Sequence, residues 1–176
     1  MKHQFRAPRN IVTCLEFDPL NGNHLYQGSE DLQVRLWDVR APSGQPAETF
    51  AGYVYFPLCI DVQEYCMVTG TKGFDAIGCE LKVWDTRQAG HGFVHSIQAH
   101  SQDVTDCVFV GPGKVLTVSK DGGIGVWGTS GGVKTAGYRD IDRIYTSAVL
   151  MEEVSSNDLP SITIGCLDGS AHRLGE

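Results

Sequence analysis

The chain has 176 residues, 41% of them hydrophobic and 20% charged, with 21 glycines and 7 prolines. That balance is globular rather than disordered, is long enough to bury a real core, and calls for many tight turns. A formal net charge of −7, with 14 basic residues scattered singly, argues against sequence-independent binding to nucleic acid, which needs clustered Lys and Arg.

The six cysteines, Cys14, Cys59, Cys66, Cys79, Cys107 and Cys166, show neither a C-x-x-C pair nor regular spacing. This fits reduced, buried thiols in an intracellular protein rather than a disulfide framework or a structural zinc site. No apolar run approaches the ~18 residues of a membrane span, and the leading MKHQFRAPRN has no apolar h-region. Neither membrane insertion nor secretion is expected.

In chain order, HQFRAP at 3–8 and IVTCLEF at 11–17 predict two short strands, and Asn21-Gly22 a turn. Residues 24–28 form the next strand. Leu32, Val34 and Leu36 then alternate with Gln33, Arg35 and Trp37, the period of a half-buried strand rather than a helix. After a Pro- and Gly-broken linker at 41–48, strands are expected at 48–50, 57–62, 66–71 and 80–84, with a long connection, GTKGFDAIGCE, before the last. A third group comprises SIQAH, VTDCVFV, a GPG turn, KVLTVS, the turn KDGG, and IGVW. A fourth comprises IYTSAVL, a polar loop carrying Glu152, Glu153 and Asp158, then SITIGC, an Asp168-Gly169 turn and SAHRL.

The segment SEDLQVRLWDVR at 29–40 recurs as CELKVWDTR at 79–87 and SKDGGIGVWG at 119–128. Trp37, Trp84 and Trp127 follow one another at 47 and 43 residues, and a further 47 lands on Leu174. Four-stranded units of that period are β-propeller blades, which bury their faces only by stacking. The expected fold is all-β, one region of four repeats near 1–40, 48–87, 93–128 and 133–176.

On these residues the chain resembles the WD-repeat β-propeller family over essentially its whole length. Ala99-His100, VSKD and VW of the third repeat match the family pattern best. The resemblance implies a buried network joining His100 to Ser119 or Thr117, with Asp121 and Trp127, and such a network must be fully satisfied. Ser29, Asp31 and Trp37 take corresponding places in the first repeat, Trp84 in the second and Asp168 in the fourth. The family's role implies a non-enzymatic interaction scaffold with no cofactor and other proteins as partners. A more specific resemblance, carried by KGFDAIGCELKVWDTRQ, is to a WD-repeat protein linked to cilia, which implies a cytoplasmic and ciliary location. Seven blades of roughly 42 residues need about 300 residues. Three alternatives stand: the C-terminal part of a seven-bladed ring, a truncated product that self-associates to close the ring, or a small complete propeller.

Sites of chemistry compete with plainer readings. His100 reads as a structural hydrogen-bonding group rather than a base or metal ligand. Cys107, centred in VTDCVFV, reads as a buried filler, because a nucleophilic thiol needs exposure, a lowered pKa and an orienting group. GPGK at 111–114 bridges two strands, so it is a hairpin turn and not a phosphate loop. WDVR and WDTR place Arg40 and Arg87 where some propellers dock to the adaptor of cullin-type ubiquitin ligases, through charge-assisted hydrogen bonds. That makes a ligase substrate receptor the alternative function. Loops joining outer to inner strands, and second to third strands, offer Arg9, Asn10, Glu30, Gln102, Lys120 and Arg139 as partner contacts. Tyr53, Tyr55 and Phe56 read equally as partner contacts and as core.

Overall fold

The computed structural model describes residues 10–41, 44–151 and 161–174. The strand expected at 3–8, Arg9, and the carboxylates Glu152, Glu153 and Asp158 lie outside the described residues. Among the described residues seventeen strands run in chain order: β1 (Val12–Phe17), β2 (His24–Ser29), β3 (Gln33–Asp38), β4 (Glu48–Phe50), β5 (Pro57–Gln63), β6 (Cys66–Thr71), β7 (Gly73–Phe74), β8 (Ile77–Gly78), β9 (Glu80–Asp85), β10 (His95–Gln98), β11 (Val104–Gly111), β12 (Lys114–Ser119), β13 (Gly123–Gly128), β14 (Lys134–Arg139), β15 (Tyr145–Met151), β16 (Ser161–Cys166) and β17 (Ala171–Leu174). A 3-10 segment, Thr86–His91, follows β9 and is capped by the Asp85 carboxylate on the Arg87 N–H.

These strands form antiparallel sheets in the orders β1-β2-β3-β4, β5-β6-β9-β10, β11-β12-β13-β14 and β15-β16-β17, with β7-β8 as a separate hairpin. Each sheet is a blade, and its first strand packs on the first strand of the next: β1 on β5, β5 on β11, β11 on β15. The all-β propeller architecture, as an arc of blades, is therefore the fold. Alternation along each strand decides which neighbour a residue meets. Tyr26, Val34, Leu36 and Phe50 of blade 1 interleave with Ile60, Val62, Met67 and Trp84 of blade 2. Cys59, Val68, Leu81 and Val83 of blade 2 meet Cys107, Phe109, Val115 and Trp127 of blade 3. Leu116, Val118 and Ile124 of blade 3 meet Ala148, Ile164 and Cys166 of blade 4. Burying a side chain of this kind is worth about 1.5–3 kcal/mol, so the interblade layers carry the core.

Register places the tryptophans in common surroundings. Trp37 pairs with Leu25, Trp84 with Met67 and Trp127 with Val115, each the second residue of the second strand, and Leu174 pairs with Ile162 at the same step. Blade contact is close enough to require glycine at one point. A Cβ on Gly70 would fall 2.5 Å from Cys59 Sγ and 2.6 Å from Val104. The long connection of blade 2 is itself ordered as the β7-β8 hairpin, whose turn residues Asp75 and Ala76 have φ of 53° and 60°. That pair of positive φ values is the mirror-image turn whose twist matches a two-residue hairpin.

Candidate interaction surface

The polar chain of blade 3 begins at Thr117, whose hydroxyl accepts the Trp127 indole N–H at 2.8 Å and meets His100 Nε2 at 2.8 Å. The other imidazole nitrogen, Nδ1, lies 3.3 Å from Asp121 Oδ1. Asp121 also accepts the Ser101 N–H and hydroxyl through Oδ2 and the Gly123 N–H through Oδ1. Ser119 accepts the Asp121 N–H and donates to the Gln102 carbonyl. Burial pushes the Asp121 carboxyl up, but the bonds from His100, Ser101 and Gly123 outweigh it and hold the group far below the ordinary carboxylate range. Of the two hydroxyls expected beside His100, Thr117 is its partner.

The other blades fill the same place differently. In blade 2 the Trp84 N–H ends on Thr69 at 3.2 Å, and that hydroxyl meets Tyr53 OH at 3.0 Å. Tyr53 stands four residues before the first strand of its blade, as His100 does, so a phenol occupies the imidazole's position. It is 6% exposed and lies against Trp84 with ring centroids 5.1 Å apart. This removes Tyr53 from the partner-contact candidates: it is core, and burial sets its pKa well above the ordinary phenol value. In blade 1 the Trp37 N–H reaches the Gln27 side-chain oxygen at 2.6 Å. Asp31 there pairs with buried Arg35 instead of a histidine, and the Ser29 hydroxyl donates to the Ile11 carbonyl. In blade 4 the corresponding residue of the second strand is Ile164, fully buried. Asp168 is therefore not part of a buried network. Its side chain is 63% exposed and caps its own turn through the Ser170 N–H and hydroxyl.

Carboxylates on inner strands tie blade to blade. Asp61 accepts the Phe109 N–H of blade 3 at 2.6 Å, and Asp106 accepts the Ala148 N–H of blade 4 at 2.9 Å. Burial raises both carboxyl pKa values against the pull of those bonds. The sequence offered a signal, a lone Asp inside CIDV and another inside TDCV, but not the partners. The six cysteines are unpaired. Cys107 is raised well above the ordinary thiol value by its bond with Cys59 and by burial, which keeps it a thiol and disarms it as a nucleophile. Among the described residues no three His, Cys, Asp or Glu side chains are grouped to hold a metal ion. No helix among them is long and apolar enough to cross a membrane.

Two loop faces remain. On the first lie the connections into each inner strand and those between second and third strands. Glu30 is exposed there, Lys120 is ion-paired with Asp103 at 2.7 Å, and Gln102 is half-buried beside the inserted hairpin. Asn10 is exposed, while Tyr55 and Phe56 are half-buried. Arg139 belongs to β14 rather than a loop, with its Nε donating to the Asp121 carbonyl. Strand patterning missed two features, β14 and the β7-β8 hairpin; the hairpin leans on the next blade through a Phe74–Gln102 bridge and the Ala76 N–H to the Ser101 carbonyl. It leaves Phe74 74% and Ile77 62% exposed. On the second face, Arg40 and Arg87 each fold back onto the aspartate two residues earlier through Nε and a terminal nitrogen. These bonds hold Asp38 and Asp85 down at about 2.

Residues 1–38 and 92–128 match the family model of the WD domain, G-beta repeat. These two stretches are similar to WD40 repeats. Over 93% of its length it is 28% identical to the nuclear distribution protein PAC1 of Ajellomyces capsulatus (strain H143), of which it spans 39%. A chain in the crystal structure of the mitotic checkpoint complex superposes with a TM-score of 0.76 at 15% identity, covering 97% of this chain and 51% of that one. The computationally designed Ika4 protein superposes with a TM-score of 0.74 at 20% identity, covering 99% of both. WD40 repeat proteins act as protein-interaction scaffolds and are generally non-enzymatic.

Proposed function

We propose that this chain is a non-enzymatic protein-interaction scaffold whose partner surface is the loop face bearing the β7-β8 hairpin. The observation that carries the reading is the exposure of Phe74 and Ile77 on a hairpin anchored to the next blade. Large apolar side chains held rigidly in solvent are the anchors that interfaces bury. Proximity labelling tests it: the labelled partners of the wild-type chain are expected to be lost on Phe74→Ala with Ile77→Ala, with the melting temperature unchanged. Partners retained by that double variant would overturn this choice of face.

The setting we propose is the cytoplasm and the cilium, in assembly or trafficking. It rests on the resemblance of KGFDAIGCELKVWDTRQ to the animal WD repeat-containing protein thirty-one. A tagged chain expressed in ciliated cells is expected along the axoneme or at its base, and exclusion from both would remove the ciliary reading. A second reading, substrate receptor of a cullin-type ubiquitin ligase, is favoured by one observation. Arg40 and Arg87 share one geometry, 63% and 61% exposed, on the opposite face. Adaptor pull-down lost on Arg40→Ala would support it, and no pull-down would dismiss it.

A further inference from the structure

The last residue of the second strand pairs with the first residue of the inner strand in every blade: Ser29 with Val12, Thr71 with Pro57, Ser119 with Val104 and Cys166 with Tyr145. The next residue therefore occupies one equivalent position on the loop face in each, and these four positions hold Glu30, Lys72, Lys120 and Leu167. All four are exposed. The face thus runs from acidic through two basic positions to an apolar one.

The two basic positions border one cleft of about 320 Å³, lined by Phe56, Leu58, Lys72, Asp103, Thr105, Lys120 and Thr146. Asp103 is its carboxylate, and both oxygens are occupied: Oδ1 accepts the Gly73 N–H at 2.8 Å and Oδ2 the Lys120 ammonium at 2.7 Å. That residue also accepts the Lys120 N–H through its carbonyl. It fixes the loops carrying Lys72 and Lys120 against each other. The Lys72 ammonium lies 4.9 Å from the Phe56 ring centroid and has no carboxylate partner among the described residues. A cleft with an excess of positive charge, in a chain of net charge −7, selects for local negative charge in its occupant.

From this we infer that the cleft docks an extended acidic segment of a partner protein, with a carboxylate side chain between Lys72 and Lys120 and an apolar side chain against Phe56 and Leu58. The inference rests on the scaffold reading above and names the chemistry of the partner. Charge complementarity sets the acidic side chain, since a basic one would meet Lys72 uncompensated. The apolar neighbour is set by Phe56 and Leu58, which line the cleft. A polyphosphate is disfavoured because two lysines on an acidic chain supply too little charge to release a counterion atmosphere.

The test is fluorescence anisotropy of the 176-residue chain with two labelled peptides, one alternating Glu and Leu and one alternating Lys and Leu, at low and at physiological ionic strength. The acidic peptide is expected to bind, to weaken at least about tenfold on Lys72→Glu, and to weaken with salt. Lys114→Glu, on the opposite loop face, is expected to leave it unchanged, and Lys72→Gln checks that any loss is not misfolding. The inference fails if the acidic peptide does not bind, if the basic peptide binds equally, if Lys72→Glu has no effect, or if inorganic pyrophosphate competes as well as the peptide. Proximity-labelled partners that survive Lys72→Glu but are lost with Phe74 and Ile77 would leave the scaffold reading standing and remove this one.

Discussion

In blade 3 the Trp127 N–H ends on Thr117, whose hydroxyl leads on to His100 and then to Asp121; in blade 2 the Trp84 N–H ends on Thr69, whose hydroxyl leads only to Tyr53. The imidazole has a second ring nitrogen to satisfy, which faces Asp121 in the loop between the second and third strands, and that keeps the loop short. A phenol uses one hydrogen bond and fills the rest of its space with ring. Blade 2 accordingly surrounds Trp84 with Phe50, Tyr53 and Phe93, at centroid distances of 5.8, 5.1 and 5.8 Å. With no aspartate demanded of it, the loop of blade 2 extends into the β7-β8 hairpin, and Asp103 from blade 3 takes over its anchoring through the Gly73 N–H. Exchanging an ionic chain for an aromatic one is what allows blade 2 to carry the exposed Phe74 and Ile77.

The largest effect expected is from Trp84→Ala, which empties the centre of three rings and is predicted to cost about 3–5 kcal/mol in denaturant unfolding. Trp127→Ala should cost less, because the Lys134 ammonium rather than an aromatic cage lies over its ring; the reverse order would break the comparison. Next comes Asp121→Asn, predicted to cost about 3 kcal/mol near neutral pH by removing the charge from a buried bonded pair. Its sign with pH is distinctive. Because the folded Asp121 carboxyl is held below its unfolded value, its stabilisation is present above pH ~4 and lost as pH falls through the folded value. The gap between wild type and Asp121→Asn is therefore expected to close in acid, as followed by thermal melts across pH. Asp61 and Asp106 act in the opposite sense, since their raised values make their contribution greatest in acid and lost as pH rises.

Tyr53→Phe sharpens the contrast further. It should cost about 1 kcal/mol, the scale of one neutral hydrogen bond, and the cost should not change across the acid range, because this phenol stays protonated. A pH-dependent penalty would show that blade 2 holds a titrating chain after all. At the small end, Arg40→Ala and Arg87→Ala should each leave the melting temperature unchanged within measurement scatter, since both ion pairs stand largely in solvent. A larger change would mean that these arginines serve the fold rather than a partner.

The strands and their order were legible because alternation of apolar residues has period two, and the Trp spacing exposed the repeat. Leu174 could be placed by counting alone, and its pairing with Ile162 puts it at the tryptophan step. Tyr53 was ambiguous for a physical reason: Ala51-Gly52-Tyr53 is an unpatterned loop, and only register reveals that its ring stands where blade 3 has an imidazole. Gln27 was invisible for the same reason, since it differs from its neighbours only in lying across from Leu15 in the sheet and under Trp37. Asp168 misled because an Asp-Gly turn looks the same whether it is buried or exposed: in blade 4 Ser170 links Asp168 to His172 near the surface, and Ile164 stands where the other blades have a polar partner for the indole.

Local pattern was sufficient for whatever depends on neighbours along the chain: strands, turns, the repeat and the all-β class. Tertiary structure alone decided the contacts that cross from blade to blade. Among these are the Asp61 and Asp106 staples, the anchoring of the hairpin by Asp103, and the common face shared by Glu30, Lys72, Lys120 and Leu167. Hydrogen bonds across a sheet gap are set by which strands meet at a few ångströms, and residues separated by some forty positions carry no local signal of that meeting.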